Sequence, residues 1–396
     1  MIVVVAPYLK VEEGGSPALG AARKIEIVIS ILAKIDADIL LVNSADFAEW
    51  ENKITLRNTN ICRTPVREMR MGGKGNYRID KAKSLLYVKK AVDEVLKIGE
   101  PSCTWFYNGY AFEMLFAIIM ARKRPQQTMI LEFEDWHFAR PRGLNPKPLL
   151  DRILWQMAAP LFRAGFAVNA NLLHKLRSMI DEATLLPGIV PEQLVALAEK
   201  KEPFSDPGKI IIGYFGGLHE EKGGKLLLAL ADLLPDNYAL HITGSGDLTE
   251  DFVRAATRRP GKLVFFGPVS DEELYQIIAG CDIILNPHDP SLTMKEGIFP
   301  FKVAEAVASK RLLISTLLPK DGYEELLACV HFVSYSPENF CNAILQARAT
   351  YQELKPVIEE SSLYAIDEYG AESILKKIQG IIATPKKQHL LSAPEK

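Results

Sequence analysis

A lysine and a glutamate stand one helical turn apart behind a proline-containing loop, in the stretch GIFPFKVAEAVA at 297–308. Lys302 and Glu305 have the i, i+3 spacing that places two side chains on one face of a helix. Pro300 suits a first helical position, and free backbone amides at a helix start bind anions. The segment therefore predicts contacts for a phosphate, from amides and an ammonium, and for two sugar hydroxyls, from a carboxylate. An amphipathic helix with a surface Lys–Glu pair is the alternative interpretation.

Two glycine loops precede this helix, and each follows an apolar run. In the first, GYFGGLHEEKGG at 213–224, glycines allow close approach of a phosphate and Lys222 supplies positive charge. The second is TGSG at 243–246, where the third glycine of a G-x-G-x-x-G fingerprint would fall on Thr249. The missing glycine disfavours a nicotinamide dehydrogenase. Taken singly, each loop also fits an ordinary turn.

Composition bounds the class of protein. A chain of 396 residues predicts two domains, and 48% hydrophobic with 24% charged residues is typical of a soluble globular protein. A net charge of −2 argues against nucleic acid as a partner. Five cysteines, an odd number without C-x-x-C spacing, predict a reduced cytoplasmic protein and no metal site. The first residues read as a buried strand, not a signal peptide, and the apolar run 114–120 is far shorter than the roughly 20 residues of a spanning helix.

Short apolar runs alternate with helical patterns, which indicates parallel sheets covered on both faces. The expected fold class is α/β, with two doubly wound, Rossmann-like domains facing a cleft and the ligand at the carboxyl ends of the strands. Turn residues at 186–191 and 199–208 indicate a linker. We expect an N-terminal acceptor-side domain at 1–190, joined by a C-terminal helix at about 362–383. A donor domain at 205–361 and a flexible tail at 384–396 complete the organisation.

The two glycine loops, the segment GKLVFFGPVSDEELYQIIAGCDIILNP at 261–287 and the helix at 297–308 occur in the order of a known domain. From about residue 209 to 316 the chain resembles the donor domain of GT-B glycosyltransferases, particularly retaining glycosyltransferase family 4 (glycosyl transferases group 1). LPGIV at 186–190 is similar to the "P-N-G-V" linker of that family. The resemblance implies sugar transfer, with retention, from a nucleotide diphosphate to an acceptor hydroxyl in glycan, polysaccharide or glycolipid synthesis. It implies no cofactor beyond this co-substrate and no metal.

The resemblance also implies roles for individual residues. Lys222 would contact the diphosphate and Glu305 the ribose hydroxyls. The remaining donor-binding candidates are backbone and loop positions: Gly14, Gly15, Gly216, Gly217, Gly244, Ser245, Gly246, Pro268, Val269, Gly297, Ile298 and Phe299. Of these, Pro268 and Val269 would lie at the base, and the glycine-rich loop with Gly14 and Gly15 near the transferred sugar.

Two departures from the family pattern leave alternatives open. Family members usually carry an arginine where this chain has Gly217. The family also often has two glutamates with seven residues between them, which points to position 297, whereas the nearest carboxylate, Glu296, is one residue early. Either Glu296 returns to the sugar through a small loop insertion, or Lys302 takes its place as in a "P-x-K-x-x-E" variant.

In the first half, polar residues follow the expected strand 129–133. Glu134 and Asp135 are catalytic candidates because acids clustered at the carboxyl end of a strand often serve chemistry, although a structural role is the alternative. The resemblance implies a histidine near the sugar where this chain has Glu134, and His137 is a nearby substitute for it. A basic run between Arg63 and Lys83 predicts a mobile acceptor-side loop. It fits a solvated surface as well as a patch for phosphates or anionic lipid headgroups.

The predicted partners are a nucleotide-sugar donor and a saccharide, lipid-linked or other hydroxyl acceptor. Peripheral contact with the inner face of a membrane is compatible with a cytoplasmic location, and the oligomeric state stays open. Two other functions fit the same fold. A GT-B sugar-nucleotide epimerase would change its donor without forming a glycoside, and a non-catalytic GT-B binding module would bind nucleotides without turnover.

Overall fold

The computed structural model describes residues 1–9, 19–45, 54–70, 77–134, 147–206, 208–293 and 299–384. The chain forms two compact units. The first combines the chain up to Leu186 with the segment that begins at Ile374, and the second runs from Pro187 to Ser373.

The first unit is built on an eight-stranded sheet in the order β3-β4-β2-β1-β5-β6-β7-β8. Its strands are β1 (Ile2–Ala6), β2 (Ile39–Asn43), β3 (Thr55–Ile61), β4 (Thr64–Arg70), β5 (Cys103–Tyr107), β6 (Met129–Phe133), β7 (Ala164–Ala167) and β8 (Glu182–Leu185). Its helices are α1 (Leu19–Ala33), α2 (Tyr77–Ile98), α3 (Ala111–Lys123), α4 (Lys147–Ala158) and α5 (Ala170–Arg177). All neighbouring strands are parallel except β3 and β4. The central strands are buried throughout, which is the pattern of a sheet covered on both faces.

The second unit contains a parallel six-stranded sheet in the order β11-β10-β9-β12-β13-β14. Its strands are β9 (Ile210–Phe215), β10 (Tyr238–Thr243), β11 (Leu263–Gly267), β12 (Ile283–Asn286), β13 (Leu312–Ser315) and β14 (His331–Phe332). Its helices are α6 (Glu192–Ala198), α7 (Gly224–Leu233), α8 (Thr249–Arg258), α9 (Asp271–Gly280), α10 (Pro290–Thr293), α11 (Lys302–Ala308), α12 (Glu324–Leu327) and α13 (Pro337–Tyr369). A last helix, α14 (Ala371–Ala383), carries the chain into the first unit. The two doubly wound sheets confirm the expected α/β fold class.

The second unit extends beyond the limits drawn at 205 and 361. Its start at Pro187 includes α6, because Arg311 donates from its buried guanidinium to the carbonyl of Ala198 at 3.0 Å. At the other end α13 is one helix through Tyr369, whose carbonyl accepts from the backbone N–H of Val190 at 2.7 Å. The part of the predicted C-terminal helix from 362 to 369 therefore belongs to the second unit.

The sequence also misses a hairpin and an edge strand in the first unit. Part of the basic run, expected as a mobile loop, forms the antiparallel pair β3–β4, with Cys62 and Arg63 at positive φ in its turn. The buried carboxylate of Glu68 holds the hairpin by accepting from Arg57 at 2.6 Å and from Arg70 at 3.0 Å. Strand β8 is the edge of the sheet and mixes polar with apolar residues, so it lacks the apolar run typical of a buried strand.

Candidate functional site

The order of strands in the second unit marks one region as the place for a ligand. Strand β9 lies at the centre, and the chain moves from it first towards β10 and then, on the other side, to β12. In open α/β sheets, ligands bind outside the carboxyl ends of the strands at this change of direction. The loops that follow β9, β10 and β12 are therefore the structural basis of the candidate site.

The two glycine loops predicted to bind phosphate lie against each other. The N–H of Gly216 donates to the carbonyl of Thr243 at 3.2 Å, and the N–H of Leu218 donates to that of Ser245 at 2.9 Å. Gly244 has a φ of +120°, and a Cβ at this position would lie 1.9 Å from the carbonyl oxygen of Gly216. Only glycine fits there, so the close approach of the two loops depends on it.

Lys222 is held at the end of the first loop by local backbone geometry. It closes a single 3-10 turn, Glu220–Lys222, and Gly223 then takes the left-handed conformation, φ 83°, from which α7 starts. A Cβ on Gly223 would lie 2.1 Å from the carbonyl oxygen of Pro287, which follows β12. The Lys222 ammonium lies 3.1 Å from the place that a Cβ on Gly217 would occupy. The position of the usual arginine is thus bordered by another cation.

Lys302, the first residue of α11, reaches the same loop from a segment between β12 and β13. Its ammonium lies 4.0 Å from the place of a Cβ on Gly216 and 4.0 Å from the ring centroid of Tyr214. The Tyr214 hydroxyl donates to the carbonyl of Gly217 at 2.8 Å, which fixes the ring beneath the ammonium. Lys302 and Lys222 therefore border two consecutive glycines. No carboxylate among the described residues forms an ion pair with either of them.

Burial and the nearby Lys222 hold the pKa of Lys302 well below its ordinary value of 10.5. Both causes disfavour the charged ammonium, since one removes its solvation and the other adds a like charge. An anion placed between the two lysines would reverse the second effect. The pair is thus an electrostatic arrangement that a phosphate or diphosphate would relieve.

His288 is a candidate that the sequence analysis missed. It follows β12 and is 8% exposed, and its Nδ1 lies 2.6 Å from the side-chain oxygen of Asn286. Because the Asn286 amide nitrogen donates to Ser315, its oxygen is left to accept from the imidazole. Burial, then Lys302 and Lys222, hold the pKa of His288 well below 6.5, so the ring is neutral beside the two lysines. The sequence offered one signal for His288, its place directly after a strand next to the switch point of the sheet.

Helix α11 presents Glu305 as predicted in spacing, with a correction to where the helix starts. It begins at Lys302 with Phe301 as its N-cap, two residues after the expected Pro300. The carbonyl of Pro300 accepts from the N–H of Val303 at 3.0 Å, so the proline belongs to a turn ahead of the helix. Glu305 is 2% exposed on a helix that is buried from Val303 onward. A surface Lys–Glu pair is therefore not what this segment forms.

The remaining donor-side candidates separate into described and undescribed positions. Phe299 is buried, and its ring stacks on Tyr323 with centroids 3.9 Å apart, so its side chain packs within the unit. Pro268 is exposed and Val269 half-buried between β11 and α9. Glu296, Gly297, Ile298, Gly14 and Gly15 lie outside the described residues. The choice between Glu296 and Lys302 at the sugar stays a prediction.

In the first unit, the carboxylates at the end of β6 surround a buried lysine. Lys24, on α1, forms ion pairs with Glu132, at 3.0 Å, and with Glu134. Burial opposes the charge on Lys24, but Glu132 and Glu134 raise its pKa above the ordinary value. Burial also opposes the charge on Glu134 and so raises its pKa. Glu132 adds to this rise, and Lys24 opposes it. Glu134 thus has a structural partner, whereas Asp135 and His137 lie outside the described residues.

Within the described ranges, His, Cys, Asp and Glu side chains form no group able to hold a metal ion. None of the helices in that part of the chain combines the length and apolar character needed to cross a membrane.

Comparisons with known proteins agree with the fold. Residues 209–349 match the family model described as glycosyl transferases group 1. Comparison of the sequence with curated proteins found no significant match. Among solved structures, the apo form of OtsA is similar over 98% of this chain and 100% of its own, with a TM-score of 0.64 and 12% identity.

Two ligand-bound structures have the same fold. The UDP-forming α,α-trehalose-phosphate synthase from Burkholderia xenovorans, in complex with glucose-6-phosphate, matches 97% of this chain and 100% of its own, with a TM-score of 0.66 and 11% identity. HepE from Anabaena, in complex with UDP, matches 96% of this chain and 99% of its own, with a TM-score of 0.62 and 14% identity. These findings confirm the predicted resemblance and the expectation of a glycosyltransferase enzyme. The chain has the GT-B glycosyltransferase fold, and its residues 209–349 are similar to the glycosyl transferases group 1 family.

Proposed function

We propose that the chain transfers a sugar, with retention of anomeric configuration, from a nucleotide-diphosphate donor to an acceptor hydroxyl. The observation that carries this proposal is the pair of ammonium groups, Lys222 and Lys302, at the glycine loop after β9. They lie at the switch point of the sheet, where a nucleotide is expected, and both lack an ion-pair partner among the described residues. A donor diphosphate supplies the missing negative charge.

The same pair accounts for the departure at Gly217. The family's arginine would add a second cation to Lys222, and here Lys302 brings that cation from α11. Two cations therefore remain available to a diphosphate, which weakens the case for a non-catalytic binding module. As the bond between the sugar and the diphosphate breaks, negative charge grows on the leaving oxygens, and the two ammonium groups would stabilise it.

The leaving phosphate then accepts the proton of the acceptor hydroxyl, so no protein nucleophile is required. Glu305 would hold the ribose hydroxyls, and its burial fits a carboxylate that fixes one ligand orientation. UDP-sugars are the first donors to test, because the structural relatives include a UDP complex and a UDP-forming synthase. Saccharide, sugar-phosphate and lipid-linked acceptors belong to the same proposal. A cytoplasmic location is also proposed, since all five cysteines are free thiols.

The first experiment is a thermal-shift screen of the full chain with UDP, GDP and their sugar conjugates. A ligand that binds the native state raises the melting temperature with the logarithm of its excess over Kd. The active nucleotide is then used with Lys222→Ala and Glu305→Ala, each of which should lose at least about tenfold in turnover or affinity, or roughly 1.4 kcal/mol.

Lys225→Ala is the matched control, because Lys225 lies three residues further on and pairs with Glu220 at 2.8 Å on the surface. It should bind and turn over the donor as the wild-type protein does. Wild-type behaviour of Lys222→Ala, or no shift with any nucleotide, would remove the basis of the proposal. Product analysis separates the alternatives: an epimerase yields a changed sugar-nucleotide, and a binding module yields none.

A further inference from the structure

One face of α4, in the first unit, is apolar and open to solvent. Leu149, Ile153 and Met157 are 63%, 45% and 51% exposed, and Leu150 is 41% exposed. Leu149, Ile153 and Met157 are spaced four residues apart, so they form one stripe along the helix. The opposite side of α4 packs into the core through Trp155, whose ring stacks on Phe133 with centroids 4.5 Å apart. The exposed stripe is therefore additional to the face that holds the helix in place.

The apolar surface continues from α4 towards α3. A groove along these helices is lined by Leu115, Ile118, Ile119 and Leu154 together with Met157. Scattered exposed apolar residues are ordinary, but a contiguous apolar patch marks an interaction site.

Cations border this apolar centre. Arg122 and Lys123 line the α3–α4 groove, and Arg152 is exposed on α4 beside Ile153. Lys123 is neutralised by Asp93 at 2.5 Å. No carboxylate of the described residues forms an ion pair with Arg122 or Arg152. These two guanidinium groups therefore leave the rim positively charged.

The combination of an apolar stripe with a cationic rim discriminates between occupants. A symmetric contact between two copies would bury the apolar stripe but bring like patches, each with its own guanidinium groups, together. An anionic bilayer satisfies both parts, because acyl chains accept the apolar residues and lipid phosphates pair with the arginines.

We propose that the surface made of Leu149, Leu150, Ile153 and Met157 with Arg122 and Arg152, here called the α4 surface, docks the protein on an anionic lipid bilayer. The apolar residues enter the boundary between headgroups and acyl chains, with α4 lying in the plane of the membrane. The inference does not depend on the transferase activity, because it rests on the first unit alone.

The experiment measures binding of the full-length protein to vesicles, by co-sedimentation at physiological salt. Vesicles of phosphatidylcholine are compared with vesicles that contain about a third of phosphatidylglycerol, since anionic lipid adds roughly fivefold in affinity for each nearby cation. We expect the wild-type protein to bind the anionic vesicles at least about tenfold more tightly.

Two double variants test the two parts of the surface. Ile153→Gln with Met157→Gln should weaken binding to anionic vesicles at least about tenfold. Arg122→Gln with Arg152→Gln should weaken it by a similar factor and reduce its dependence on salt. The matched control is Val253→Gln with Leu345→Gln, since those side chains of the second unit are 50% and 48% exposed. That control should bind as the wild-type protein does.

Three results would overturn the proposal. One is equal affinity of the wild-type protein for both kinds of vesicle, and another is wild-type binding by both α4-surface variants. The third is a wild-type dimer that becomes monomeric in Ile153→Gln with Met157→Gln while vesicle binding is unchanged, which would assign the surface to a second copy. Circular dichroism and unfolding midpoints check that each variant is folded. The variant Arg122→Gln with Arg152→Gln tests the surface independently of the variant with the two apolar substitutions.

Discussion

Replacing Lys302 by methionine should weaken nucleotide binding without weakening the fold. Methionine keeps the length and apolar contacts of the side chain over Tyr214, from whose ring centroid the ammonium lies 4.0 Å away. The variant loses one charge-assisted hydrogen bond to the diphosphate, worth about 1.5–3 kcal/mol, so the Kd for the donor nucleotide should rise about 10- to 150-fold. Isothermal titration calorimetry measures this change.

The unliganded variant should be as stable as the wild-type protein or more stable, by on the order of 1 kcal/mol. The substitution removes a cation that burial and Lys222 disfavour, although it also removes the contact between cation and ring. The difference in stability between the variant and the wild-type protein depends on pH. Between the lowered pKa of Lys302 and 10.5 the unfolded chain binds more protons than the folded one, so wild-type stability rises with pH. The advantage of methionine should therefore be greatest below the lowered pKa and vanish as the pH approaches 10.5.

Urea unfolding at neutral and at alkaline pH checks the stability of both proteins, and nucleotide titrations at the same pH values check binding. Wild-type affinity should fall as the pH rises through the pKa of Lys302, because the ammonium is the form that pairs with phosphate. Unchanged affinity for the nucleotide in Lys302→Met would refute the role of this lysine. A clear loss of stability in the variant would show that the ammonium is already satisfied in the free protein.

Three further predictions follow from the packing. Gly244→Ala should lower nucleotide affinity at least about tenfold in the same titration, because the Cβ of the alanine would lie 1.9 Å from the carbonyl oxygen of Gly216. A wild-type affinity would contradict this account. Lys24→Met should lower the free energy of unfolding in urea by about 3–5 kcal/mol, since it leaves the buried carboxylate of Glu132 and the partly buried carboxylate of Glu134 without their cation. A loss under about 1 kcal/mol would argue against a structural role. Ellman's reagent should react rapidly with one thiol of the native protein, that of the exposed Cys62. It should react slowly with the four other thiols, because burial raises the pKa of each. Two or more rapidly reacting thiols would disagree with the packing. Those four are Cys103, Cys281, Cys329 and Cys341.

Local signals in the sequence account for the architecture. Runs such as Ile2–Ala6 and Ile210–Phe215 are short and apolar because both faces of a parallel strand are covered, so each run is recognisable on its own. Their alternation with helices was enough to predict two doubly wound sheets. The strands that were missed are β3 and β8, at the edges of the sheet, and β4, which pairs with β3. All three mix polar with apolar residues, so the apolar signal of a buried strand is absent.

The candidate site was predictable only in part. Gly216, Gly244 and Lys222 follow strands within a few residues, so their place at the carboxyl edge was implied by the chain order. The partners they meet were not implied. Lys302 reaches Gly216 from a helix more than eighty positions later in the sequence. His288 joins them because β12 pairs with β9 rather than with β11, the strand that precedes it in the sequence.

The sequence by itself determined which residue types were available for chemistry and that two α/β domains would carry them. Apolar runs and glycines act over a few residues, and their patterns survive without knowledge of the fold. Only the tertiary structure decided which charges meet. Lys222 lies near Lys302, with neither of them in an ion pair with a described carboxylate, and the buried Lys24 pairs with Glu132 and Glu134. The physical reason is that electrostatic effects depend on distance and burial, and both arise when remote segments pack together.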